Sequence, residues 1–267
     1  MKRMDMNVRV AVAVHKPYEM LQDETYLPVH AGRALSKELG YQSDAQGDSI
    51  SEKNPYYCEL TVLYWAWKNL QADALGLMHY RRYLGNPMRC LPWVKRWDRI
   101  ASGDELRAYL EKTPIILPGK RDYFIENREQ QYIHAHGRAG LDVLRAVMKS
   151  RSPEYLAAFD RSMKRTSGHC FNIFIMRRDL CDAYCQWLFD TLFEVERVMR
   201  ETMEQEVTPR LFGFISERML DCWIETNGYA YRELPVINLE PQNWLKKGAA
   251  FLKRKYGASA REKTRAQ

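Results

Sequence analysis

Several short stretches of this chain gather side chains able to act on a charged, oxygen-rich ligand. His79-Tyr80-Arg81-Arg82 follows the apolar run Ala74 to Met78. Two adjacent guanidiniums can hold a diphosphate through paired, charge-assisted hydrogen bonds. Lys120-Arg121-Asp122 repeats the design after Pro114-Ile115-Ile116-Leu117-Pro118, and His15-Lys16 does so after the first apolar run. Glu217-Arg218 offers either a general base with its neighbour or a structural ion pair. His169 and Asn172 lie in Ser167 to Met176. A polar amide inside an apolar run must find a hydrogen-bond partner, in the backbone or in a ligand hydroxyl.

The elements that must position these groups alternate in type. Asn7 to Val14 is a β-branched run suited to a first buried parallel strand. Tyr26 to Gly32, with Pro28, reads as a connector, and Ala34 to Leu39 as a short helical piece stopped by Gly40. A polar loop with Asp48, Ser49, Ser51, Lys53 and Asn54 leads to Pro55 at a permitted first helical turn. From Glu59, Leu60, Leu63, Tyr64 and Trp67 fall at helical spacing, which is ordinarily a core face. Ala74 to Met78 and Pro114 to Pro118 fit short buried strands, and ligands of open α/β sheets sit beyond the carboxyl ends of such strands.

Ser102 followed by Glu105 is a capping-box pattern. Glu126 to Ser150 reads as mostly helical. Its His134 and His136 are two apart and so face different ways, which disfavours a joint metal site. A further helix opens at Pro153, Leu180 to Met199 is a long amphipathic helix, and Gly213 to Leu220 starts another. Phe171 to Met176 and Leu234 to Ile237 read as late strands.

Composition narrows the functional classes. The 267 residues suffice for a sizeable core, and the apolar fraction of 46% is that of an ordinary soluble protein. No run of about 18 apolar residues occurs, so the expected location is the cytoplasm. The six cysteines show no C-x-x-C pair and no zinc-like spacing, and Cys181 and Cys185 read as packing thiols. The net charge of +7 is concentrated: eight basic residues stand against Glu262 alone from Asn243 onward. A near-neutral body with a basic end argues against a broad nucleic-acid surface. That end, with Trp244, Phe251 and Leu252 among lysines, fits an interfacial helix on an anionic membrane. P-loop, G-x-G-x-x-G, nucleophile-elbow and H-E-x-x-H patterns are absent.

Gly47-Asp48-Ser49-Ile50-Ser51-Glu52-Lys53-Asn54, Tyr57-Cys58-Glu59-Leu60-Thr61, Tyr64-Trp65-Ala66-Trp67-Lys68-Asn69 and Gly76-Leu77-Met78-His79-Tyr80-Arg81-Arg82-Tyr83 resemble an uncharacterised-domain family encoded in bacterial capsule, exopolysaccharide and O-antigen clusters. Phe171 to Met176, Tyr184 to Phe189 and Gly213 to Arg218 are similar to its later motifs. Its members are described as glycosyltransferases. The resemblance implies a GT-A-like α/β domain over residues 7–240, a Rossmann-type mixed sheet flanked by helices, with 241–267 as a basic amphipathic tail. It implies transfer of a hexose, galactosyl or galactofuranosyl, from a nucleotide-diphosphate sugar, a UDP-sugar first, to a lipid-linked glycan.

Many GT-A enzymes hold Mn2+ or Mg2+ with an Asp-x-Asp pair at a strand tip. Here that tip is His79-Tyr80-Arg81-Arg82, so no metal ligand is assigned. Lys16, Asp48, Lys53, Asn54, His79, Arg81 and Arg82 are expected at the donor and its diphosphate. Glu217, with Asp122 second, is expected as catalytic base, and His169, Asn172 and Arg218 at sugar or acceptor. A non-catalytic carbohydrate-binding protein with Trp65, Trp67 and Trp93 as exposed platforms is the alternative. A nucleic-acid enzyme using the basic end is a third reading.

Overall fold

The computed structural model describes residues 6–240, so the expected C-terminal amphipathic helix lies outside the described residues. The first half of the chain runs β1 (Val8–Val14), β2 (Tyr26–His30), β3 (Gln42–Ser43), α1 (Asn54–Tyr57), α2 (Leu60–Asn69), β4 (Ala74–His79), β5 (Arg82–Leu84) and α3 (Gly103–Lys112). It continues through β6 (Ile115–Pro118), β7 (Arg121–Asp122), α4 (Arg128–His136), α5 (Ala139–Arg151) and α6 (Leu156–Lys164). The remainder is β8 (Ser167–Gly168), β9 (Phe174–Arg177), α7 (Arg178–Thr202), α8 (Leu211–Ser216), α9 (Leu220–Asn227), β10 (Tyr231–Leu234) and β11 (Val236–Asn238).

The main sheet has the order β10-β6-β9-β4-β1-β2-β3, with β5 and β11 paired at the end of β4. β3, β2, β1 and β4 run parallel. β9 runs against both β4 and β6. The carboxyl ends of β1, β4 and β6 therefore meet the amino end of β9, and loops entering and leaving strands gather at one edge. This is the mixed α/β sheet that the family resemblance implies.

Strand alternation sets the two cores. Val8, Val10, Val12 and Val14 of β1 face one layer with Leu106 and Leu110 of α3. Ala11 and Ala13 face the other, beneath α2 and α7. The small alanines leave room for Trp65, Trp67 and Phe189, with Trp67 and Phe189 stacked 5.9 Å apart. Ser102 and Glu105 form both bonds of the capping box at α3.

The structure differs from expectation at several elements. Tyr26–His30 is a strand despite Pro28, because its outer neighbour β3 is only two residues long and demands few N–H groups. The helical piece before Gly40 is a single 3-10 turn, Arg33–Leu35. Gly137 (φ 82°) splits the helical stretch after Glu126 into α4 and α5. Pro235, which has no N–H to donate, separates β10 from β11. Phe171 and Asn172 are not strand residues: both have positive φ, 75° and 53°, and β9 begins at Phe174.

The polar loop before α1 is a structural latch. Asp44 is fully buried, and its carboxylate accepts from the backbone N–H of Gly32 (2.8 Å) and Arg33 (3.0 Å) and the hydroxyls of Ser51 (2.5 Å) and Thr61 (2.7 Å). The Ser49 hydroxyl donates to the Asp44 carbonyl. Asn69 accepts from the Asp48 N–H and donates to the Asp48 carbonyl. Four donors thus converge on one carboxylate that fastens β3 to α2. Asp44→Ala strands them, and is expected to lower unfolding free energy by about 3 kcal/mol in urea titrations at unchanged m value.

Candidate active site

A cavity of about 560 Å³ opens at the gathered edge of the sheet, within the size range of small-molecule sites. β1 delivers His15, β4 and the turn after it deliver His79, Tyr80, Arg81 and Arg82, and β7 delivers Arg121. Glu59 and Cys58 come from the junction of α1 and α2, and Arg210, Glu217 and Arg218 bracket α8. Five guanidiniums and two carboxylates face one space, so the lining carries an excess of positive charge.

The cations differ in how far they are neutralised. Arg81 pairs with Glu240 at 3.2 Å, and both groups are partly exposed. Arg82 lies over the Phe171 ring at 4.6 Å, Arg121 over Tyr123 at 5.2 Å and Arg210 over Phe214 at 4.7 Å. Among the described residues none of these three has a carboxylate within ion-pairing distance. Arg218 is buried, donating to the Tyr123 hydroxyl (3.1 Å) and the Gln131 side-chain oxygen (2.7 Å), while its Nε has no partner among the described residues. A cationic cavity with unspent donors is the electrostatic complement of a diphosphate.

The ionisable groups are tuned by burial. Desolvation raises the Glu217 carboxyl above its ordinary value, and the nearby Glu59 carboxylate adds to this, while Arg218 opposes it. Burial lowers His79, with Arg82 and Arg81 pushing the same way. Its Nε2 lies 2.6 Å from the Phe171 carbonyl, which can only accept, so the proton resides on Nε2. His15 is lowered by burial and then by Arg81, Lys16, His79 and Arg210. Cys58 is pushed up to about 11 by burial and the Glu59 carboxylate, so it is a thiol at neutral pH rather than a nucleophile.

Backbone strain concentrates here. Of the five non-glycine residues with positive φ among those described, Cys58 (51°), Phe171 (75°) and Arg210 (67°) line the cavity, and Asn172 (53°) lies directly behind it. Each such conformation costs about 1 kcal/mol or more. The surrounding bonds enforce it at Asn172, whose amide donates to Glu59 (2.7 Å) and the Gly213 carbonyl (3.1 Å), and whose oxygen accepts from Ser216 (2.9 Å).

Six of the residues expected from sequence line the cavity: Asn54, His79, Arg81, Arg82, Glu217 and Arg218. The other six stand outside the lining. Lys16 and Asp122 adjoin His15 and Arg121, and consecutive residues of an extended chain point opposite ways. Lys16 meets Glu240 at 3.5 Å, and Asp122 accepts the Phe124 N–H at 2.7 Å. Asp48 belongs to the latch around Asn69. Lys53 is spent on Glu196 at 2.7 Å. His169 is buried between Asp221 and Glu233. Asn172 has its partners within the protein and acts on the cavity only by holding Glu59.

Glu59 and Arg210 escaped selection as site residues. Glu59 sits at a helix start, where a carboxylate is ordinary, and no pattern marks Arg210 ahead of α8. Trp65 and Trp67 are buried, so they form no exposed sugar platform. Among the described residues no three His, Cys, Asp or Glu side chains converge to hold a metal, and no helix is long and apolar enough to cross a membrane.

Comparison with known proteins fits this geometry. The apo structure of WbbM, a bifunctional glycosyltransferase, matches 88% of this chain at 30% sequence identity with a TM-score of 0.78. The chain spans 46% of that protein's length. No protein with a curated description matches. The family model described as a domain of unknown function, DUF4422, matches residues 9–228. Because that match runs from β1 through α9 and takes in every segment lining the cavity, the chain belongs to the DUF4422 family.

Proposed function

We propose that this chain is a glycosyltransferase of polysaccharide synthesis that moves a hexose, galactosyl or galactofuranosyl, from a UDP-sugar to a lipid-linked glycan. The observation that carries the reading is the convergence of Arg81, Arg82, Arg121, Arg210 and Arg218 with Glu217 in one cavity beyond the strand ends. Likeness to a bifunctional glycosyltransferase supports it.

In this reading Arg82 and Arg121, with Arg81 at the rim, stabilise the departing diphosphate. Preorganised cations need no reorganisation as charge develops, which is the role a divalent metal plays elsewhere. Glu217 removes the acceptor hydroxyl proton if the reaction inverts; its raised pKa brings a carboxylate nearer the working pH of a general base. Glu59, fixed by Asn172, is placed to hold sugar hydroxyls. The basic stretch after Glu240 would bring the enzyme to an anionic membrane where a lipid-linked acceptor resides.

Thermal-shift measurements against a panel of nucleotide sugars, with and without chelator, test the donor assignment. Stabilisation by one UDP-sugar, and transfer that survives excess chelator, is the expected result. Activity lost to chelator and restored by Mn2+ would overturn the arginine-for-metal role. Absence of any shift would remove the donor reading.

A further inference from the structure

Three of the large hydrophobic side chains exposed among the described residues lie in one six-residue stretch: Met88 (81% exposed), Leu91 and Trp93 (78%). They crown the loop between β5 and α3. Polar bonds behind the loop hold it in shape. Arg99 donates to the carbonyls of Val94 (2.8 Å) and Pro92 (2.9 Å), and Arg89 to the Ile100 carbonyl and the Glu105 carboxylate, each at 2.7 Å. Asn86 caps the turn by accepting the Met88 N–H. The apolar side chains thus stand outward on a braced support. Lys95 and Arg96 are exposed beside them.

The same loop holds the end of the described chain. Arg96 donates to the Leu239 carbonyl (2.9 Å), and the Leu239 N–H donates to the Arg81 carbonyl (3.0 Å). Glu240 then bridges Arg81 and Lys16 beside the cavity. The sequence after Glu240 carries eight Lys or Arg against one Glu. Cavity, apolar loop and the last described residue, Glu240, therefore meet at one place on the surface.

We propose that the Met88–Trp93 loop docks into an anionic lipid bilayer, Trp93 and Met88 entering the interfacial layer while Lys95 and Arg96 engage the headgroups. Stable attachment of a peripheral protein takes two signals, and an apolar wedge beside exposed cations of the same loop supplies both. The proposal extends the membrane part of the reading above and is independent of the donor chemistry. It adds a second contact that holds the cavity close to the bilayer surface.

Full-length protein is tested by flotation with phosphatidylglycerol-containing vesicles and with phosphatidylcholine vesicles. The double substitution Met88→Ser/Trp93→Ser is expected to weaken binding to the anionic vesicles about tenfold, with unfolding temperature unchanged. Brominated lipid is expected to quench wild-type tryptophan emission more than that of Trp93→Phe. Equal partitioning of the double variant and wild type, or equal quenching, overturns the proposal. If in addition Lys253→Gln/Arg254→Gln/Lys255→Gln alone abolishes binding, the tail reading survives and the loop falls. Self-association lost in the double variant, without vesicle binding, would assign the loop to a second copy and likewise overturn it. Thermal shift with the UDP-sugar reports separately on the donor site.

Discussion

Glu217→Gln is expected to reduce sugar transfer about a thousandfold while leaving the protein as stable as the wild type or more so at neutral pH. The two effects have one cause. Burial beside Glu59 raises the Glu217 carboxyl above its ordinary 4.5, so the folded chain binds this proton more tightly than the unfolded chain does. Stability from this group is fully present below 4.5 and is lost as pH rises through the folded value. The ionised carboxylate needed for catalysis is thus a standing cost to the fold, and glutamine removes that cost with the reaction. Transfer by the wild type should climb with pH through the raised carboxyl pKa. Steady-state rates and unfolding temperatures across pH check both halves, and unchanged turnover in Glu217→Gln would remove its role as base.

Arg82→Ala and Arg121→Ala should each lower kcat/KM by about a hundredfold, and Arg81→Ala by about tenfold or less. The ranking follows from what each guanidinium already does. Arg82 and Arg121 rest on aromatic rings without a carboxylate partner among the described residues, whereas Arg81 shares Glu240. Glu240 already offsets part of the Arg81 charge, so its loss counts for less. Calorimetric titration with UDP, together with turnover, tests the order. Wild-type UDP affinity in Arg82→Ala/Arg121→Ala would mean that the diphosphate does not lie between them.

The sheet and the strand-tip cations were legible because β1, β4 and β6 are apolar runs followed at once by charged residues. The side each residue faces was less legible. His15 rather than Lys16, and Arg121 rather than Asp122, line the cavity, and sequence does not state the phase of a strand's last residues. The loop from Gly47 to Asn54 misled for a different reason. Its Asp, Ser and Asn residues are of the types that bind a ligand, yet Asp48 pairs with Asn69, Ser49 and Ser51 with Asp44, and Asn54, which does reach the cavity lining, with Cys58 and Thr61. Asn172 was correctly marked as needing a partner, but the partners are Glu59, Gly213 and Ser216, each distant in sequence. Positive φ at Phe171 and Arg210 carries no residue-type signal, since neither side chain favours that conformation.

The place of β9 bears on how the molecule is made. This strand joins β4 to β6 yet is the ninth to emerge, so until Arg177 has appeared the nascent chain holds an incomplete ribbon ending at β4 and a lone β6, whose other neighbour β10 emerges later still. Closure then requires one short antiparallel segment to thread between them, a late event spanning about a hundred intervening residues that delays assembly and keeps a sticky border exposed meanwhile. Chaperone demand is accordingly written into strand order rather than into any single side chain.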